Sequence, residues 1–124
     1  THNFTASTGN TFNLALFDSD ATLGASTTAY GTSEEITGTG YTAGGKALTS
    51  VTPALDSSTA VCDFGDISWT SSTFTANACL IYNTNASNKA VCSVAFGGDK
   101  SVSSGTFTIQ FPAAAATTAI VRIA

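Results

Sequence analysis

Residues 72–82, "STFTANACLIY", place Phe74, Ala76, Ala78, Leu80 and Tyr82 at every second position. A two-residue period sends alternate side chains to opposite faces of extended backbone, whereas a helix repeats near 3.6. This longest alternating run predicts a strand with those five residues on one face. The period returns in residues 11–17, where Phe12, Leu14 and Leu16 share a side, and in residues 106–111, with Phe107, Ile109 and Phe111 inward. No stretch of ordinary helical length competes. Residues 113–116 are four alanines, but Pro112 before them and two threonines after them leave too little chain for a stable helix.

Turn chemistry divides the remainder. Gly65-Asp66, "NTNASNK" at 83–89 and "GGDKSVSSG" at 97–105 read as turns, and "PAAAATT" at 112–118 as a flexible connector. Residues 34–37 read as a short strand. Residues 46–55 read as a strand that Pro53 consigns to an edge or a bulge. Residues 59–64, 67–69, 90–96 and 119–123 complete the set, with 90–96 pairing back on 72–82 as a hairpin. The expected fold is all-β, one domain over residues 1–124: an antiparallel β-sandwich or jelly roll of about eight short strands. Its expected core holds Phe12, Leu14, Leu16, Trp69, Phe74, Leu80, Val94, Phe107 and Ile109.

Composition narrows the function. Only 10% of the residues are charged, against 22 threonines and 15 serines, so hydroxyls must supply most of the surface polarity. The net charge is −4, and Lys46, Lys89, Lys100 and Arg122 are scattered. Without a basic stripe no nucleic-acid partner is expected. No apolar run reaches the roughly 20 residues of a spanning helix, so no membrane partner is expected either. The first residues have neither a basic nor an apolar leader segment and no initiator Met, which reads as a processed or truncated start.

The glycine segment "GTGYTAGGKA", residues 38–47, superficially resembles two nucleotide loops. A phosphate-binding loop needs a helix N-terminus behind it and a Ser or Thr after the lysine. Here Ala47 follows Lys46, and the next residues are strand-like. The dinucleotide fingerprint fails for want of the same helix. The segment reads instead as a turn in which glycines supply positive φ, with Tyr41 anchoring it by its ring and hydroxyl. Asp18 with Asp20, and Asp63 with Asp66, are weighed as calcium corners and as turn-forming aspartates, the commoner use. Adjacent Glu34 and Glu35 face opposite ways on extended backbone. His2, the only histidine, sits at the N-terminal end of the sequence, and a Ser/His or Cys/His nucleophile would have to use it there. Cys62, Cys79 and Cys92 are odd in number and widely spaced, which favours free thiols, Cys79 with Cys92 being the one candidate pair. No catalytic residue, cofactor or metal is expected.

Several stretches together resemble a family of small structural proteins of tailed bacteriophages. They are "HNF" at the start, "FNLALF", "EEITGTGYTAGGKALT", "VCDFGDISWTSSTFTANACLIYN" and "NKAVCSVAFGGDKSVSSGTFTIQFP", then a short terminal strand. Their order and spacing match over about residues 2–123. Members usually carry a short extension ahead of "HNF". This chain departs in its additional cysteines and in "FPAAAATT".

The resemblance implies a virion structural component without catalytic residues: a capsid-decorating or cement protein on the outer surface of the head, made in the bacterial host cytoplasm. The implied partners are the major capsid protein and further copies of the chain, as a dimer or trimer. A head-fibre or tail-associated domain that binds a receptor or glycan is the alternative, and a glycan hydrolase is the weakest reading. Both ends combine strand-compatible backbone with an apolar residue and little charge. Thr1, His2, Asn3 and Phe4, with Phe111, Pro112, Ala113 and Ala114, are therefore the expected subunit contacts. Closure of the domain's own core is the competing role for both segments.

Overall fold

A computed structural model describes residues 1–123. It contains seven strands: β1 (Phe12–Phe17), β2 (Lys46–Ala47), β3 (Ser50–Asp56), β4 (Thr59–Phe64), β5 (Ile67–Asn83), β6 (Lys89–Ile109) and β7 (Val121–Ile123). They form a four-stranded sheet in the order β2-β1-β5-β6 and a three-stranded sheet in the order β3-β4-β7. Every pairing is antiparallel. The all-β antiparallel class expected from the sequence holds, with seven strands in place of about eight.

The number falls because β5 and β6 each join segments that the sequence reading separates. They form one long hairpin closed by residues 84–88, where Ser87 and Asn88 both take positive φ. Residues 97–105 carry turn chemistry yet do not end the strand. Gly97 at φ 79° and Ser104 at φ 48° are spent on irregularities inside β6. Ala76 pairs with Lys100 and Ala78 with Ala95, so residues 96–99 have no register partner on β5, and only the Asn77 side chain reaches across, donating to Asp99 Oδ1 at 3.0 Å. Such bulges kink a strand while pairing resumes on either side. Ser71, at φ 49°, marks a similar slip between Trp69 and Ser72, and joins the expected 67–69 and 72–82 strands into one.

These slips change the phase of β5. Phe74 and Ala76 face the main core with Cys79 and Ile81, whereas Leu80 and Tyr82 face the opposite side. The expected single face of residues 74–82 is therefore split near Asn77. Both faces are buried beyond that point, because residues 18–30 cover the second one with Ala21, Leu23 and Tyr30. The first face is covered by Phe64 of the small sheet, Leu48, Ile36, Phe4, Phe111 and Ile120. Phe12, Leu14, Leu16, Trp69, Phe74 and Leu80 are buried as expected. Val94, Phe107 and Ile109 are only half-buried, because β6 is the edge strand of its sheet and is met on its outer side only at its start, where Ala29 bridges to Lys89.

The expected strand at residues 46–55 divides between sheets at Leu48, which turns inward. Pro53 lies on β3, an edge strand, at a register shift between Val51 and Ala54. That is where a residue lacking a backbone donor belongs. The expected strand at residues 34–37 is reduced to one bridge between Phe17 and Glu35.

Candidate functional site

The glycine segment is held by its own chain. Glu35 turns inward and its carboxylate accepts three hydrogen bonds: from the Tyr30 hydroxyl (2.6 Å), the Tyr41 hydroxyl (2.6 Å) and the Gly44 N–H (2.7 Å). Tyr41 Oη in turn accepts the Leu16 N–H of β1 at 2.9 Å, and Tyr82 donates to the Gly44 carbonyl at 2.6 Å. Both peptide groups flanking Gly44 are thereby tied to side chains. Burial, reinforced by the Glu35 hydrogen bond, holds the Tyr30 and Tyr41 hydroxyls well above their ordinary value. The backbone N–H that a phosphate would need at Gly44 is already taken by a carboxylate.

Two glycines bring this strap against the sheet. A Cβ at Gly40, φ 82°, would strike the Ser72 hydroxyl, and one at Gly45, φ 75°, would overlap the Leu14 carbonyl. Thr39 bridges to Thr73, and Lys46 opens β2. The Lys46 ammonium caps the Ser68 carbonyl and lies 5.7 Å from the centre of the Trp69 ring. Tyr41 packs its ring near Trp69 and Phe74, so it anchors through ring and hydroxyl together.

The end segments are pinned to the core. Phe4 stacks on Phe12 with centroids 4.7 Å apart, and Phe111 lies 5.8 Å from Phe64. The Phe111 N–H is accepted by Asp66, and the Ala116 N–H by Asp56. Thus Phe4 and Phe111, two of the expected contact residues, are engaged inside the domain. Thr1, Asn3, Pro112, Ala113 and Ala114 are exposed, and His2 is half-buried.

Two apolar regions escaped the sequence reading. Phe96, Phe107 and Ile109, with Lys100 at the rim, line a cleft of about 390 Å³ along β6. On the small sheet the register places Leu55, Ala60 and Ile123 side by side. Leu55 and Ile123 are 72% and 71% exposed. Alternation marked only Phe107 and Ile109, as inward, and gave no direction for Phe96, Leu55 or Ile123; the sheet order shows which faces lack a cover.

Other candidates resolve into local roles. Asp18, Asp20 and Glu34 cluster at one corner, where Asp18 Oδ1 accepts the Asp20 N–H, the usual aspartate turn. Asp63 and Asp66 are not brought together; they accept the N–H groups of Phe64 and Phe111 separately. Cys79 lies opposite Val94 and Cys92 opposite Ile81, so the two thiols are diagonal across the hairpin, and both are free. Burial pushes Cys79 up to about 12 and Cys92 up to about 11, which makes poor nucleophiles of both. Comparison with protein-family models, with curated proteins and with solved structures finds no match to this chain.

Proposed function

We propose that the chain is a non-enzymatic structural subunit of a tailed-phage virion, a decoration or cement protein that binds the major capsid protein on the outside of the head and associates with further copies of itself. The observation that carries this reading is the pair of uncovered apolar regions, the β6 cleft and the Leu55–Ile123 row, in a chain with so few charges. Contiguous exposed apolar ground on a small domain marks a contact surface. Sparse charge lets such a surface close against a neighbour without burying unpaired ions. The stretches that resemble the phage family, "GTGYTAGG" and "FGGDKSVSSGTFTIQ", serve here as the strap and the bulged strand, which are scaffold roles. A cement function asks for a rigid scaffold of this kind.

Copy number per particle is the test. Gel densitometry or particle reconstruction should give a fixed stoichiometric ratio to the major capsid protein over the whole shell. A few copies confined to a vertex or tail would overturn the decoration reading in favour of a receptor- or glycan-binding fibre domain.

A further inference from the structure

We infer that residues 1–10 form a clasp that protonation of His2 opens. Its centre is Asn83, the last residue of β5, which is 0% exposed. Its side-chain amide has a fixed orientation, because Oδ1 accepts the Asn85 N–H at 3.0 Å. The opposite orientation would set an amide NH₂ against that donor. Nδ2 must then donate both its hydrogens. One goes to Asn10 Oδ1 at 2.9 Å, whose own orientation is fixed by the Asn3 N–H at 2.9 Å. The other meets His2 Nδ1, also at 2.9 Å. His2 Nδ1 is therefore an acceptor, and the neutral imidazole carries its hydrogen on Nε2.

Protonation places a hydrogen on Nδ1, facing the hydrogen of Asn83 Nδ2. The bond is lost, and a buried amide hydrogen is left opposite a cation. The clasp has few other ties. Asn3 and Asn10 bond each other through main chain and side chain, and the Gly9 N–H reaches the Thr5 carbonyl. The Thr5 N–H also reaches Asn3 Oδ1, and the segment is held further by the aromatic stack of Phe4 on Phe12, with Phe64 edge-on and the His2 ring 6.1 Å from Phe12. Opening would withdraw Phe4 and uncover Phe12 and Phe64 at the margin between the sheets.

No charged side chain competes for the imidazole within the packed elements. The clasp, β1 and β5 carry no charged side chain besides His2, and the clasp adds the amino group of Thr1 next to it. On β4, Asp63 is committed to the Phe64 N–H, and Asp66, beyond it, to the Phe111 N–H. Lys89 stands opposite Asn83 on β6 and is exposed.

The experiment is NMR on the full chain and on His2→Gln, whose side-chain oxygen accepts from Asn83 at every pH. In the parent, long-range nitrogen shifts at about pH 8 should report the Nε2–H form. Amide exchange protection at Asn3, Gly9 and Asn10, corrected for intrinsic rates, should fall about tenfold as pH drops through the imidazole range to about 5. His2→Gln should keep that protection unchanged. An Nδ1–H form at high pH would overturn the proposal, and so would an equal loss of protection in both proteins. Should His2→Gln fold poorly, the tautomer and the parent's own titration still decide.

Discussion

Gly45→Ala and Gly97→Ala form a matched pair. Both glycines have positive φ, 75° and 79°, so each substitution carries the left-handed strain of about 1–2 kcal/mol. They differ in surroundings. A methyl at Gly97 meets nothing within 4 Å, while one at Gly45 would overlap the Leu14 carbonyl and press on Ala15. That obstacle is backbone in a central strand and cannot swing aside. The strap must lift instead, weakening the Gly44 hydrogen bonds to Glu35 and Tyr82. One is charge-assisted, about 1.5–3 kcal/mol, and one neutral, about 1 kcal/mol. Gly45→Ala should therefore cost roughly 3–5 kcal/mol, against a total stability of about 5–15 kcal/mol for a domain. In urea unfolding followed by the fluorescence of the single Trp69, its midpoint should drop by roughly 2 M, and that of Gly97→Ala by roughly 1 M or less. Equal losses in the two variants would refute the close approach of strap and sheet.

Phe74→Ala should cost about 3–5 kcal/mol in the same assay, and half-buried Phe107→Ala about 1–2 kcal/mol. Alkali should unfold the protein early. With Tyr30 and Tyr41 raised in the fold, the stability they confer is complete below the unfolded tyrosine value near 10 and is lost as pH rises from there towards the folded values. Tyrosinate absorbance should therefore rise together with the loss of circular dichroism, and ionisation without unfolding would contradict the buried network. Calorimetry with ATP, GTP or NAD should give no saturable heat, since Gly44 N–H is occupied by Glu35; a micromolar affinity abolished by Lys46→Ala would reverse that reading.

Local pattern and tertiary choice separate cleanly in this chain. The two-residue period marked β1, the hairpin of β5 and β6 and most of the core, because one buried face imposes it directly. Pro53 marked an edge through its missing donor, and Tyr41 an anchor through its amphipathic ring. The bulges were not legible, since glycine and serine at positive φ look alike whether they end a strand or kink it. The phase change near Asn77 followed from those bulges and from the cover that residues 18–30 lay over Leu80 and Tyr82. Glu35 as the partner of two tyrosines and Gly44 was hidden for another reason. Its three partners, Tyr30, Tyr41 and Gly44, all lie in irregular backbone between residues 30 and 44, where neither sequence period applies and no spacing rule links them. The β6 cleft and the Leu55–Ile123 row depend on which strand stands last in each sheet, a fact that alternation does not contain.

The irregular pairing of β6 bears on solubility. A long strand at the rim of a sheet offers an open ladder on which another chain could zip, the usual start of polymerisation and amyloid growth. Here the unpaired residues 96–99 and the positive-φ Ser104 break that ladder into short lengths that point in different directions. An incoming strand would lose register at each break, so sheet extension along β6 is suppressed while its apolar side chains stay available. Shortening the bulge by deleting Gly97 and Gly98, which leaves one extra residue in place of three, should accordingly make sheet extension along β6 easier and raise the tendency to aggregate, without removing a single core residue.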